Sequence, residues 1–354
     1  MENRLAQLLE QKGVLLADGA TGSNLFDMGL MTGDAPELWN VDEPEKIKAH
    51  YQAFIDAGSD IVLTNTFGGT RYRLKLHKAQ DRVEELNVAG THLLKECIAA
   101  SGREVLIAGS MGPTGEILEP SGPLTIDEAA DAFAEQALAL KKGGVDVLWV
   151  ETISSNEEMQ AALKGCAIAQ MPVVTTLSID TNGRTMMGLT AADVVENGAT
   201  MQPSPYAIGT NCGVGASEVV AAILNMRTAA SEQGVDPIII AKANCGVPEY
   251  IDGEIVYNGT PQVMSDYVKF AIDAGANIIG GCCGTTPGHV AAMRKVMDEH
   301  VKGEVPTLAQ ITDVLGEVSV GAQAQLRGEM SVEAGATGSS NSSRKSRRRR
   351  ETPA

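Results

Sequence analysis

The stretch PIIIAKANC (237–245), then TPQVMSDYVKFAIDAGA (260–276), then NIIGGCC (277–283) reads as strand, helix, strand. The outer two runs are apolar without alternation, which suits strands buried on both faces of a parallel sheet. The middle segment carries apolar residues at helical spacing. It opens with Thr260 as an N-cap and Pro261 at the first helical position. The same unit recurs toward the N-terminus. VLLAD (14–18), DIVLTNTF (60–67), VLIAGS (105–110), DVLWVE (146–151), PVVTTLSID (172–180) and YAIGTNC (206–212) each lead into a turn bearing Gly or Asn. Helix-like stretches such as IDEAADAFAEQALALKKGG (126–144) follow. Eight strands alternating with helices predict an α/β fold of the (β/α)8, or TIM-barrel, type. A doubly wound open sheet is the alternative, and the lack of a GxGxxG after the first strand counts against it.

The composition fits one large core. Of 354 residues, 44% are apolar and only 4% aromatic, and the 38 glycines suit the tight strand-to-loop turns of a barrel. No run approaches the 18 or so apolar residues of a membrane span. Met1 to Lys12 reads as a short amphipathic helix without the basic-then-apolar order of a signal peptide, so the expected location is cytoplasmic. The formal charge of -17 argues against nucleic acid as a partner of the barrel. One segment dissents. Six of the 28 cations (Arg344, Lys345 and Arg347 to Arg350) and one of the 45 anions lie from 344 onward, so the rest of the chain carries -22. The barrel is expected to span 1–316, ending with TLAQITDVLG (307–316). Residues 317–354 turn to Gly, Ala, Ser and Gln and then to SSRKSRRRRETPA, a composition expected to form a disordered tail. The basic cluster is either a solvated end or a dock for an acidic partner or RNA.

Six cysteines in a chain without a signal peptide do not suggest disulfides. Cys97 and Cys166 fall in helical patterns and read as small buried hydrophobes. The remaining four follow apolar runs in Gly-rich turns. In GGCCGTTP (280–287), adjacent cysteines on a regular strand would face opposite ways, so both can bind one ion only at an irregular strand end. Gly280, Gly281 and Gly284 permit that irregularity. Cys212, in GTNCG, sits at the matching end of the sixth strand, and in a barrel these ends converge on the catalytic rim. Cys212, Cys282 and Cys283 can hold a zinc ion and leave its fourth position open. Three unrelated cysteines or a redox pair is the alternative, disfavoured because a vicinal disulfide is strained and no CxxC is present. An open, thiolate-rich zinc suits the binding of another thiol, whose ordinary pKa of about 8.5 leaves it mostly protonated at neutral pH.

The set DGA (18–20), TNTF (64–67), GPTG (112–115), VET (150–152), GTNCG (209–213) and GGCCGTTP resembles the homocysteine S-methyltransferases, a family that includes betaine–homocysteine methyltransferases and the homocysteine module of cobalamin-dependent methionine synthase. The resemblance covers roughly residues 10–300. It implies zinc on Cys212, Cys282 and Cys283, and places Asp18, Thr64, Glu151 and Asn211 in the homocysteine pocket. The chemistry agrees. Asp18 and Glu151, each ending a strand, can pair with the substrate ammonium, and backbone N–H groups of Gly19 to Thr21 can receive its carboxylate. Alone, each acid also reads as a helix cap. Cys245 departs from the family pattern. A fourth protein ligand would close the metal to substrate, so Cys245 is read as a bystander, and His77 and His289 as surface or helix-start histidines.

The methyl donor is less legible. Betaine calls for an aromatic cage. The animal betaine enzymes place tyrosines after their equivalents of Phe67 and Glu151, where this chain has Gly68 and Thr152. Trp39, Tyr72 and Trp149 remain candidate cage members. The pattern favours a methylcorrinoid carried by a separate protein, since no cobalamin-ligating DxHxxG stretch appears in the chain itself. Betaine or another onium donor used directly is the alternative. A zinc- or thiol-binding sensor barrel without turnover is the reading from another class, and a homo-oligomer is left open.

Overall fold

A computed structural model describes residues 3–180, 182–251 and 254–329. Eight parallel strands form one sheet: β1 Leu15–Leu16, β2 Ile61–Leu63, β3 Leu106–Met111, β4 Val147–Ile153, β5 Val173–Leu177, β6 Ala207–Cys212, β7 Ile239–Ala243 and β8 Ile278–Gly281. The order is β1-β8-β7-β6-β5-β4-β3-β2, and a parallel bridge between Ala17 and Ile61 closes the ring. Helices alternate with the strands, including Ile126–Gly143 and Pro261–Ala274. The latter is capped by the Thr260 side chain with Pro261 at its start, as the sequence predicts. The architecture is the expected (β/α)8 barrel. One element was not foreseen: a small antiparallel hairpin, Pro248–Ile251 with Glu254–Tyr257, between β7 and the next helix.

The continuous apolar runs split by strand alternation into two cores. Leu15, Ala17, Ile61, Leu63, Leu106, Ala108, Val147, Trp149, Val174, Ala207, Ile240 and Ile278 fill the barrel interior. Leu16, Val62, Ile107, Leu148 and Val150 pack outward against the helices. Leu5 and Leu8 of the N-terminal helix Arg4–Lys12 join the interior core and close it from below. Each such leucine contributes roughly 1.5–3 kcal/mol on burial.

The inward series changes character toward the strand C-termini. Two residues beyond Ala108, Trp149, Val174 and Ile240 come Ser110, Glu151, Thr176 and Lys242, while Asn211 and Cys282 lie four beyond Ala207 and Ile278. One face of the barrel interior therefore ends in a polar ring.

The C-terminal expectation needs correction. Residues 317–329 belong to the folded body. Ser319 caps the helix Val320–Leu326 and donates its backbone N–H to the buried Glu218. Gly321 N–H donates to Asn182 Oδ1 at 2.5 Å, and Gln325 donates to the Gly183 carbonyl at 2.8 Å. Val318 and Ala322 are buried. Composition suggested a tail because this segment has few large apolar residues. It is held instead by caps and polar contacts with the loop after β5 and the helix Ala216–Gln233. The Arg344–Arg350 cluster lies outside the described residues.

Candidate active site

The barrel's polar end opens into a cavity of about 420 Å³ lined by Cys212, Cys282 and Cys283 together with Glu151, Thr64, Gly19 and Lys242. A larger groove of about 1650 Å³ at the other end carries no thiol. Several of its charges pair with one another: Asp60 binds both Lys12 and Arg294, and Arg227 binds Asp236.

The three thiols converge from two strand ends. On a regular strand Cys212 would point away from Asn211's side of the sheet, but its φ of +64° breaks the alternation. This left-handed conformation is strained for a residue with a side chain. It brings Cys212 Sγ to 3.8 Å from Cys283 Sγ. β8 stops at Gly281, so Cys282 and Cys283 lie in the turn beyond it, as their adjacency required. Gly284, at φ +76°, completes the turn, and the Tyr257 ring packs so closely that a Cβ there would come within 2.3 Å of it. The Cys282 N–H donates to the Ala243 carbonyl at 2.7 Å and the Cys283 N–H to Asn244 Oδ1 at 3.0 Å. Asn244 in turn donates to the Gly213 carbonyl at 2.5 Å, tying the two cysteine-bearing turns together.

All three sulfurs lie within 4.8 Å of one another, the only such group of potential metal ligands among the described residues. A tetrahedral ion with bonds of about 2.3 Å sets its ligand sulfurs about 3.8 Å apart, so the donor set fits a zinc-like ion. Left as protons and sulfurs alone, the trio resists ionisation. Contact with Cys212, joined by burial, pushes the Cys282 thiol up to about 12. Cys282 favours the Cys212 thiolate, yet Cys283 and burial outweigh it and hold Cys212 at about 11. Cys245 stands apart from the trio, buried at the end of β7, and burial pushes it up to about 11. Cys97 and Cys166 are buried within the outer core, as expected.

The polar residues divide into those that face the cavity and those that hold the wall. Glu151 faces it, with Oε1 accepting from the Ser110 hydroxyl at 2.6 Å. Burial raises its pKa against the pull of Lys242 and Ser110. Thr64 is buried in the wall, bonded to Thr66 Oγ1 at 2.6 Å and accepting from Ser110 N–H at 3.1 Å. Asn211 is fully committed: Oδ1 accepts from Thr152 N–H at 2.8 Å and Thr176 Oγ1 at 2.7 Å, and Nδ2 donates to Thr152 Oγ1 at 2.8 Å. Ala20 N–H, within the turn expected to bind carboxylate, is taken by the Thr285 carbonyl.

Asp18 is not where the sequence suggested. It lies behind the wall, with Oδ1 at 2.9 Å from Lys242 Nζ and Oδ2 accepting from Leu63 N–H at 2.7 Å. Both oxygens act as acceptors, the pattern of an ionised carboxylate facing an ammonium, although burial raises its pKa. Lys242 was missed in the sequence. The signal was there as a lone cation inside the apolar run PIIIAKANC.

Farther out the wall is Phe26, Phe67, Tyr257, Glu37, Arg73 and His77. Glu37 is buried and accepts the Gly68 N–H at 2.6 Å. His77 thus faces the cavity and is no mere surface residue, whereas His289 caps its helix at Thr286, as expected. Trp39, Tyr72 and Trp149 do not line the cavity, and Trp149 is sealed inside the barrel.

Among the described residues, no helix is long and apolar enough to cross a membrane. Solved structures of the homocysteine methyltransferase MmuM from Escherichia coli share this fold. The oxidized form matches with a TM-score of 0.66 at 24% identity, covering 83% of this chain and 99% of that one, and the metallated form matches with the same score at 23%. Methionine synthases of Mycobacterium leprae and Mycobacterium tuberculosis are 27% and 28% identical over 85% and 81% of this chain. The chain spans about a quarter of the length of these relatives (26% and 25%). The sequence model of the homocysteine S-methyltransferases matches residues 15–297, reaching from β1 through the two vicinal cysteines. A barrel whose thiol-bearing strand ends all fall within that match belongs to the homocysteine S-methyltransferase family, enzymes that transfer a methyl group to the homocysteine thiol.

Proposed function

We propose that this chain is a zinc-dependent homocysteine S-methyltransferase that forms methionine, with Cys212, Cys282 and Cys283 as the zinc ligands. The observation that carries this is the convergence of three thiols on the cavity that Glu151 also faces. When bound, zinc supplies the positive charge that strips protons from thiols at neutral pH. The chain's own residues do the rest. Glu151, held by Ser110, takes the substrate ammonium. Gly19 and Thr64 bound the pocket around the amino-acid end. Asn211 fixes the rim beside Cys282, and Asp18 acts through Lys242. A metallated form of the Escherichia coli neighbour is consistent with the metal, and family membership favours turnover over a sensor.

For the donor, the wall favours a small onium compound such as betaine. Phe26, Phe67 and Tyr257 bring aromatic side chains to the cavity wall, and Glu37, Arg73 and His77 add charged and polar groups beside them. A Cβ at Gly68 would sit 2.9 Å from Glu37 Oε1, so a side chain there would have to displace that carboxylate. The second reading, a methylcorrinoid on a separate protein, draws support from the mycobacterial methionine synthases, which are about four times as long as the matched region. The experiment is metal analysis of the purified protein together with methionine formation from homocysteine and a panel of donors. About one zinc per chain and zinc-dependent turnover are expected. A metal-free protein with full activity would refute the proposal.

A further inference from the structure

We propose that Tyr257 is a positioning residue whose hydroxyl, donating to the Cys283 sulfur, steers methyl transfer away from the protein's own thiols and onto the substrate. This rests on the reading that Cys212, Cys282 and Cys283 hold zinc around an open fourth position. Four sulfurs then share one ion when the substrate thiol binds, and only that one should be methylated. A methylated cysteine is no longer a thiolate ligand, so the protein's own sulfurs have to be kept less reactive. The hairpin after β7 supplies a device for this. Its second strand, Glu254–Tyr257, ends at Tyr257, which lines the cavity together with all three thiols. The ring lies on Gly284, the residue after Cys283, where a Cβ would come within 2.3 Å of Tyr257 Cγ and 2.8 Å of Cδ2. The hydroxyl at the far end of the ring reaches the Cys283 sulfur.

The backbone fixes this approach. Cys245 N–H donates to the Cys283 carbonyl at 2.9 Å, and Gly259 N–H donates to the Cys245 carbonyl at 3.0 Å. The chain just past Tyr257 is thereby tied to the cysteine turn, with the backbone of Cys245 as the link. A phenol keeps its proton at neutral pH, and a metal-bound thiolate is an acceptor. An O–H donated to that sulfur draws charge from the lone pair that would attack a methyl group. Cys282 has a donor of its own in Asn211 Nδ2 at 3.7 Å. Methylation of the substrate forms one S–C bond and breaks the bond from methyl to its carrier, which leaves with the electron pair. The same displacement at Cys283 gives S-methylcysteine, and the Tyr257 hydrogen bond disfavours it.

The test exposes the zinc-loaded protein, without homocysteine, to methyl iodide and follows each cysteine by peptide mass spectrometry. Sulfur displaces iodide in that reaction, so no further reactant is needed. Tyr257→Phe keeps the ring on Gly284 and removes only the hydroxyl. The variant is expected to methylate Cys283 about three- to thirtyfold faster than wild type, part of the strength of a hydrogen bond to a charged group. Cys282, whose donor is untouched, should react at its wild-type rate. In cobalt-substituted protein the sulfur-to-metal charge-transfer band should move to lower energy. Unchanged methylation and an unchanged band in a folded variant of wild-type zinc content would overturn the role of Tyr257. Loss of zinc from the variant would overturn it too, by making the hydroxyl a support for the metal. A wild-type protein that binds no zinc would instead overturn the ligand reading, and this inference with it.

Discussion

Asn211 Nδ2 lies 3.7 Å from Cys282 Sγ while the same nitrogen donates to Thr152 Oγ1 at 2.8 Å. The amide thereby joins the thiol cluster to the end of β4, where Thr152 adopts a left-handed φ of +65° and the strand register shifts. Because Oδ1 accepts from Thr152 N–H and Thr176 Oγ1, the amide cannot flip without losing bonds at both ends. On the proposed reading, Asn211 serves the reaction by holding other groups in place.

Removing that tie is expected to loosen the metal site before it harms the fold. Asn211→Ala should weaken zinc binding about ten- to a hundredfold, the usual cost of losing an orienting partner around a metal. Competition against a chromogenic chelator measures it, with thermal melts as the control. Unchanged zinc affinity in a folded variant would show that Cys282 needs no such support.

How much of this was legible beforehand follows from what each residue's position depends on. The barrel was readable because its strands are short apolar runs at regular spacing, and the parallel sheet buries both faces of each. The thiol cluster was readable because two adjacent cysteines after a strand leave few geometries open. The partner of Asp18 was not, because Lys242 lies 224 residues away and only barrel closure brings β1 beside β8 and β7. Tyr257 and Glu37 were hidden for a related reason: Tyr257 ends a strand of the small hairpin after β7 and Glu37 lies in the short helical turn Pro36–Leu38, and neither element is long enough to carry a periodic signal. The order of 317–329 depends on bonds to Glu218 and Asn182 that composition cannot reveal.

That C-terminal segment gives a second prediction. A chain ending at residue 316 loses the burial of Val318 and Ala322 and strips Glu218 of its Ser319 partners. The expected loss is about 2–4 kcal/mol, from apolar burial plus an unsatisfied buried acid. A chain ending at 329 keeps every one of these contacts and should melt with the full-length protein in scanning calorimetry. Identical melts for both truncations would show that the segment adds nothing to stability.

A third prediction concerns acid. His50 is buried on the helix Pro44–Asp56, its ring 5.2 Å from that of Phe54, and burial lowers its pKa from 6.5 to about 4. The unfolded chain therefore takes up a proton between pH 6.5 and 4 that the folded chain refuses. Stability supplied by the neutral ring is complete above pH 6.5 and declines as pH falls through that window, by about 3 kcal/mol at its end. Urea unfolding of the wild type and His50→Leu at several pH values tests this. The stability difference should shift in favour of the variant on acidification, and a pH-independent difference would refute it.

The last prediction separates the two donors. A quaternary ammonium must lose water to reach the substrate sulfur, and aromatic faces offset part of that cost, each by about 0.5–2 kcal/mol. Phe67 supplies one face, and the buried Glu37 supplies charge at the same wall. Phe67→Ala is therefore expected to raise KM for betaine about two- to thirtyfold while KM for homocysteine holds. Since the Phe67 ring also packs on Gly112, where a Cβ would lie 2.6 Å from it, Glu37→Gln serves as the variant that leaves packing intact and should raise the same KM. A methylcorrinoid is too large for a cavity of about 420 Å³ and would approach from the rim, so neither substitution should affect its use strongly. Assays of both variants with betaine and with methylcobalamin decide the matter. Turnover with methylcobalamin alone, unaffected by either change, would transfer the assignment to the corrinoid donor and leave the homocysteine half of the site as described.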